Sequence, residues 1–177
     1  VSHLIHLATQ PPRIIKSGIH HAPRRHEPTT PFRWPLGALS DLCPRVLAAH
    51  DGERPSVELG YERAPEQLVP VLAVNDGQVS LALEGGGGYA VSLDHSGTWS
   101  THYTGLSKLA VVRCLPRRRL RQSVRAGDVI GYTTNKLGFE LWRWNDDRGF
   151  VPVDPRTHLA CWASAPVKTG ATSKKAA

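Results

Sequence analysis

VPVLAVNDGQVSLALEGGGGYAVSLDHSGTWSTHY, residues 69–103, decides the fold. Val69, Val71 and Ala73 share one alternation while Leu72 and Val74 share the other, the pattern of a short strand covered on both faces. Asn75, Asp76 and Gly77 then supply turn chemistry, so a hairpin is expected to follow. Val79, Leu81 and Leu83 alternate with Gln78, Ser80 and Ala82 until glycines 85–88, where the chain can take positive φ. Tyr89, Val91 and Leu93 alternate next, residues 94–97 mark another turn, and residues 99–103 are rich in β-formers. The whole stretch reads as a meander.

Downstream, residues 123–128 read as a loop returning through Val129, Ile130 and Tyr132. Phe139, Leu141 and Trp142 begin another strand, and residues 149–153 a further one. About seven short strands separated by turn signals predict an all-β, antiparallel sandwich or barrel-like domain. Helix is scarce, with residues 106–112 the best candidate for a turn or two.

At 177 residues the chain has room for one core, and 40% hydrophobic against 21% charged residues is a globular balance rather than a disordered one. Residues 1–31 carry His3, His6, His20, His21 and His26 among prolines and basic residues without a sustained period, and read as an extended arm. A folded domain is expected over residues 32–164, and a small, polar, basic, flexible tail over residues 165–177. Cys43, Cys114 and Cys161 are odd in number and contain no CxxC pair, so they read as small buried hydrophobes rather than a disulfide framework.

Twenty-two Lys and Arg against fifteen Asp and Glu give a formal charge of +7, which favours encounter with anionic partners. Arg117, Arg118, Arg119 and Arg121 form a basic patch; it reads as a solvated loop or as a charge-driven nucleic-acid contact, with no recognised nucleic-acid motif beside it. No run reaches bilayer-crossing length, and residues 1–10 lack the charged start and apolar stretch of a secretory signal. Export by the ordinary route is therefore not expected from these residues, and the compartment stays open.

The order of the pieces resembles the lysostaphin-like (LytM-type) zinc endopeptidases. Residues 70–79 (PVLAVNDGQV) are similar to that family's strand before an Asp-Gly turn. Residues 88–95 (GYAVSLDH) are similar to its Gly-Tyr strand and hairpin, and residues 103–107 (YTGLS) to its Tyr-x-His-Leu-Ser segment. Residues 125–132 (RAGDVIGY) match its Gly-x-x-Ile-Gly turn, and residues 136–141 (KLGFEL) fall where His-x-His-Phe-Glu is expected. Residues 32–36 (FRWPL) are similar to the opening Trp-Pro segment and residues 151–155 (VPVDP) to the closing one. The resemblance implies the fold of that family, a duplicated hybrid motif of antiparallel strands.

It also implies a site. In the active family a His, an Asp four residues on, and the second His of His-x-His hold a tetrahedral zinc, while two further histidines manage protons. Carried over by position, these five become Arg54, Glu58, Gly138, Gly105 and Lys136. An alternative register starts the first pair at His50 and puts Arg54 in the Asp position. Either way at most two ligands remain, so the expectation is a domain without zinc, other cofactor or peptidase activity. His95 and His102 are placed by the resemblance on the hairpin, outside the metal shell. Lys136 and Arg54 are expected to pair with Glu58 and Glu140 in place of the ion.

Three functions stay open beside that of an active zinc peptidase, which the ligand count disfavours. A noncatalytic module could bind a peptidoglycan peptide or a protein partner, such as a cell-wall hydrolase, through a groove lined by Tyr103, Glu140, Trp99 and Trp142, with Trp144 beside them. A structural or assembly component, of a phage virion or a secretion apparatus, could dock its arm on neighbouring subunits. Nucleic-acid binding would rest on charge alone. The family resemblance implies the cell envelope or a virion as the setting.

Overall fold

The computed structural model describes residues 31–37, 43–53, 55–63, 65, 67–85, 87–111, 122–134 and 136–162. All but the last residue of the expected arm, the whole expected tail, Arg54, Cys114 and the cluster at residues 117–121 lie outside the described residues.

The strands are β1 (Arg45–His50), β2 (Ser56–Gly60), β3 (Val69–Leu72), β4 (Gly77–Gly85), β5 (Gly88–His95), β6 (Trp99–Leu106), β7 (Lys108–Leu109), β8 (Ser123–Val124), β9 (Val129–Thr133), β10 (Lys136–Asn145) and β11 (Gly149–Val153), followed by helix α1 (Pro155–Trp162). They form two antiparallel sheets. The large one runs β1-β2-β10-β6-β5-β4-β8, and β11 pairs with the second half of β10. The small one runs β3-β9-β7. The fold is the mostly antiparallel all-β one that the strand pattern predicts.

Several local expectations change. Residues 69–85 do not make a hairpin: β3 pairs with β9, and the Asn75–Gly77 turn carries the chain from one sheet to the other. Val69, Val71, Ala73 and Val74 are fully buried because both faces of this segment are covered, so its neighbour in sequence is not its neighbour in the ladder. In β4 the pairing shifts between Val79 and Leu81, and Val79 and Ala82 are the buried residues rather than the full Val79, Leu81, Leu83 set. One extra residue moves every later side chain to the other face.

Residues 106–112 are not helical where described; Lys108 and Leu109 add an edge strand to the small sheet. The helix lies instead at Pro155–Trp162. Asp154 accepts a hydrogen bond from the Arg156 amide at 2.9 Å, and Pro155 stands first in the helix, where its missing N–H costs nothing. Leu159 and Trp162 are buried by it, and Trp34 Nε1 donates to the Leu159 carbonyl at 3.1 Å. Cys43 and Cys161 are exposed, not buried as expected.

The core gathers between the sheets and under α1. Leu137, Phe139 and Leu141 alternate along β10 toward it, fully buried with Tyr103, Leu93, Val91 and Ile130. Each such side chain stabilises the fold by about 1.5–3 kcal/mol. Residues 32–36 are laid onto the same core: Arg33 N donates to Val74 O, Leu72 N to Pro35 O, and Phe32 stacks on Trp162 with ring centroids 4.8 Å apart. The consequence for function is parity: the residues between Leu137, Phe139 and Leu141 must face away from the core.

Candidate functional site

Alternation along β10 turns Lys136, Gly138, Glu140, Trp142 and Trp144 to the outer face of the large sheet. Register supplies their neighbours. Gly138 lies opposite Glu58 on β2 and Thr104 on β6; Glu140 lies opposite His102, which in turn lies opposite Ser92 on β5. Trp142 lies opposite Ser100, and Ser100 opposite Asp94.

Lys136 Nζ sits 2.7 Å from Glu58 Oε1. The expected partnership of Lys136 with Glu58 is thus present, while the part assigned to Arg54 lies outside the described residues. Glu140 takes a different partner, accepting from Trp142 Nε1 at 2.9 Å. His102 Nδ1 and Ser92 Oγ are 2.9 Å apart, and the His102 and Trp142 rings lie 5.6 Å apart. His50, the alternative start of the first ligand pair, is at the end of β1 opposite Ser56, one strand farther from Gly138 than Glu58 is.

The two glycines at lost histidine positions are closed in different ways. A Cβ on Gly138 would collide with Thr104 Oγ1, so the neighbouring hydroxyl fills the space a side chain would need. Gly105 has φ +79°, in the left-handed region where an L side chain is strained, and a Cβ there would stand 3.2 Å from the Lys136 carbonyl oxygen. Thr133 Oγ1 donates to that same carbonyl at 2.8 Å and fixes this corner.

Tyr103 and Trp99, expected in the groove, turn the other way. They share a parity on β6 opposite to that of His102 and Thr104, so they face the helix side. Tyr103 is fully buried, its pKa raised by burial, with the Val74 amide donating to its hydroxyl oxygen at 3.2 Å. Trp99 packs edge-on to Phe32 and His158, with the Arg143 guanidinium 5.3 Å from its ring centre. Trp142 is on the outer face but only 6% exposed, closely covered by its neighbours. Trp144, expected beside the groove, is on the outer face; Thr104, His102 and Ser92, which the sequence did not mark for the site, share that face, because cross-strand register is not written in the residues.

His95 is buried in the core beneath the Asn75–Gly77 turn and faces no site. Its Nδ1 lies 2.9 Å from the Asp76 carbonyl, which can only accept, so Nδ1 carries the proton and Nε2 accepts from Thr101 Oγ1 at 2.8 Å. Thr101 and Tyr103 oxygens are 3.2 Å apart, and with the threonine proton given to His95 the tyrosine hydroxyl donates in that link. Burial holds the His95 pKa below its ordinary value.

These residues do not fit a zinc. Glu58 is the one carboxylate among the described positions that correspond to ligands, and it already holds an ammonium. Cation and dication a few ångströms apart repel by several kcal/mol near a protein surface. Among the described residues no three His, Cys, Asp or Glu gather as a metal-holding group. The described residues also contain no helix long and apolar enough to cross a membrane.

Among solved structures, a zinc-containing peptidase from Vibrio cholerae is similar with a TM-score of 0.51 at 19% identity, over 71% of this chain and 39% of that one. A chain from the SpoIIQ-SpoIIIAH pore-forming complex gives 0.50 at 18% identity, over 77% and 98%. The antimicrobial peptidase lysostaphin from Staphylococcus simulans gives 0.45 at 22%, over 66% and 47%. This chain therefore spans less than half the length of the Vibrio peptidase and of lysostaphin; with the Vibrio peptidase and the SpoIIQ-SpoIIIAH chain, at these identities, what is shared is the fold. No curated protein matches. The model of Peptidase family M23 matches residues 57–146, half of the sequence and the very strands that carry Glu58, Thr104 and Gly138 on one face; the chain belongs to that family.

Proposed function

We propose that this M23 domain is noncatalytic and works by binding, with a peptide segment of peptidoglycan or of a protein partner lying across the outer face near Lys136, Thr104 and Glu140. The observation that carries the reading is the 2.7 Å contact of Lys136 with Glu58: a fixed positive charge takes the carboxylate that the family's chemistry requires for metal. Gly138 and Gly105 supply no donor atoms, and their surroundings resist any side chain. A face that has exchanged ligands for an ion pair and a hydroxyl keeps hydrogen-bonding capacity for an extended peptide while losing the means to activate water.

An assembly role is the second reading, supported by the similarity to a chain in the SpoIIQ-SpoIIIAH pore-forming complex, where a protein of this fold is part of a multiprotein structure. Both readings are separated by one experiment. Purified chain is sedimented with cell-wall sacculi over a range of salt, in parallel with partner identification by cross-linking and mass spectrometry. Salt-resistant sedimentation lost in Lys136→Glu supports wall binding; recovery only within a defined protein complex supports assembly. Stem-peptide cleavage by the purified chain would overturn both.

A further inference from the structure

Beyond Trp142 the outer face ends in a pocket of about 560 Å³, inside the size range of small-ligand sites. Trp144 and Phe150, cross-strand partners on β10 and β11, form one wall, their rings edge to face with centroids 5.3 Å apart. Asp76, Gln78, Asp94, Ser96, Ser123 and Arg125 are the polar residues of the lining. Trp144 lies six positions along the strand from Gly138, roughly 20 Å at strand rise. The pocket is therefore distinct from the lost metal position, and its ligand does not depend on the peptide-binding reading.

The turn that forms its rim is strained. Ser96 has φ +50° and Gly97 φ +74°, and Thr98 N donates to His95 O at 3.2 Å, the geometry of a tight turn with both central residues left-handed. Glycine or asparagine suits the first of those positions; serine does not. Ser96 is the only described non-glycine residue with positive φ, and it borders the pocket. A residue that costs stability and lines a cavity points to use of its hydroxyl.

We infer that this pocket binds one pyranose ring of an uncharged saccharide, stacked on Trp144. Among the polar side chains of the lining, Asp76 and Asp94 offer acceptors only, Arg125 donors only, and Gln78, Ser96 and Ser123 both, which is the mixture that ring hydroxyls, each donor and acceptor at once, can satisfy. An apolar ligand would take these polar groups out of water and offer them nothing in exchange. Two carboxylates against one guanidinium disfavour phosphates and other anions, and a bare amine would leave Arg125 and Gln78 unmatched. The aromatic wall provides the flat apolar surface on which the C–H face of the ring rests. Asp76 is held in place for this: its Oδ1 accepts from the Ala126 amide at 2.7 Å, and its carbonyl is tied to His95.

The test is isothermal titration and saturation-transfer NMR of the full chain with cellotetraose, with N-acetylchitotetraose and with lysine amide. Saturable binding of either saccharide, insensitive to salt and weakened about tenfold or more in Trp144→Ala, is expected. Ser96→Gly relieves the turn, so it should raise the melting temperature while weakening saccharide binding, a pair of effects that a merely structural serine would not give. Lys136→Glu should leave saccharide binding unchanged even where it abolishes retention on sacculi. No saturable response to either saccharide at millimolar concentration, equal binding by Trp144→Ala, or salt-sensitive binding of lysine amide alone would overturn the assignment.

Discussion

Lys136 Nζ and Glu58 Oε1 are 2.7 Å apart on neighbouring strands, beside a glycine that lies opposite Glu58. The pair is partly open to water, with side-chain exposures of 56% and 29%. Screening by solvent therefore limits its contribution.

A double-mutant cycle of Lys136→Ala and Glu58→Ala should give a coupling of about 0.2–1 kcal/mol that shrinks as salt is added. Urea unfolding of the four proteins measures it. A coupling of several kcal/mol would mean that the pair is a structural keystone rather than an occupant of the old site.

Gly138→Ala sets a Cβ against Thr104 Oγ1, so it should destabilise the domain by about 1–2 kcal/mol, less whatever the glycine loses in backbone freedom. Thr104→Ala removes the colliding oxygen from an exposed residue and should recover most of that loss in the double variant. Denaturant midpoints decide it, and additive single and double effects would show that the two side chains do not compete for one space.

His95 couples the fold to pH. Burial lowers its pKa below the ordinary 6.5, so in the window between the lowered folded value and about 6.5 the unfolded chain holds more protons than the folded one. Its contribution to stability is complete above that window and is lost as pH falls through it. Half-buried His158, lowered by its burial and by Arg143, acts in the same direction. Melting temperature should therefore drop on acidification from neutral pH. His95→Gln, which retains hydrogen-bonding atoms without a titrating ring, should flatten part of that slope.

Much of the architecture is legible in residues 69–103 because alternation and turn chemistry both act over a few residues. Strands β3 to β6 fall where Val69, Val79, Val91 and Trp99 indicate. Pairing is not local: nothing near Val71 announces that its ladder partner is Gly131, 60 positions away in the numbering. The same gap governs the site. Glu58, Gly138 and Lys136 are identified by position in a resemblance, yet that Thr104 stands opposite Gly138, or that Tyr103 and Trp99 face the core, follows from register and from bulges. The bulge between Tyr89 and Val91 breaks the simple count on β5, and the helix at Pro155–Trp162 is too short and too weakly patterned to stand out, although Asp154 and Pro155 spell its start.

Zinc retention is the decisive measurement. The purified chain is dialysed against zinc and then against a weak chelator, and the retained metal is counted for wild type and for Glu58→Gln. The expected result is no stoichiometric retention attributable to Glu58, the two proteins behaving alike. One zinc per chain that survives the chelator in wild type and disappears in Glu58→Gln would contradict the account.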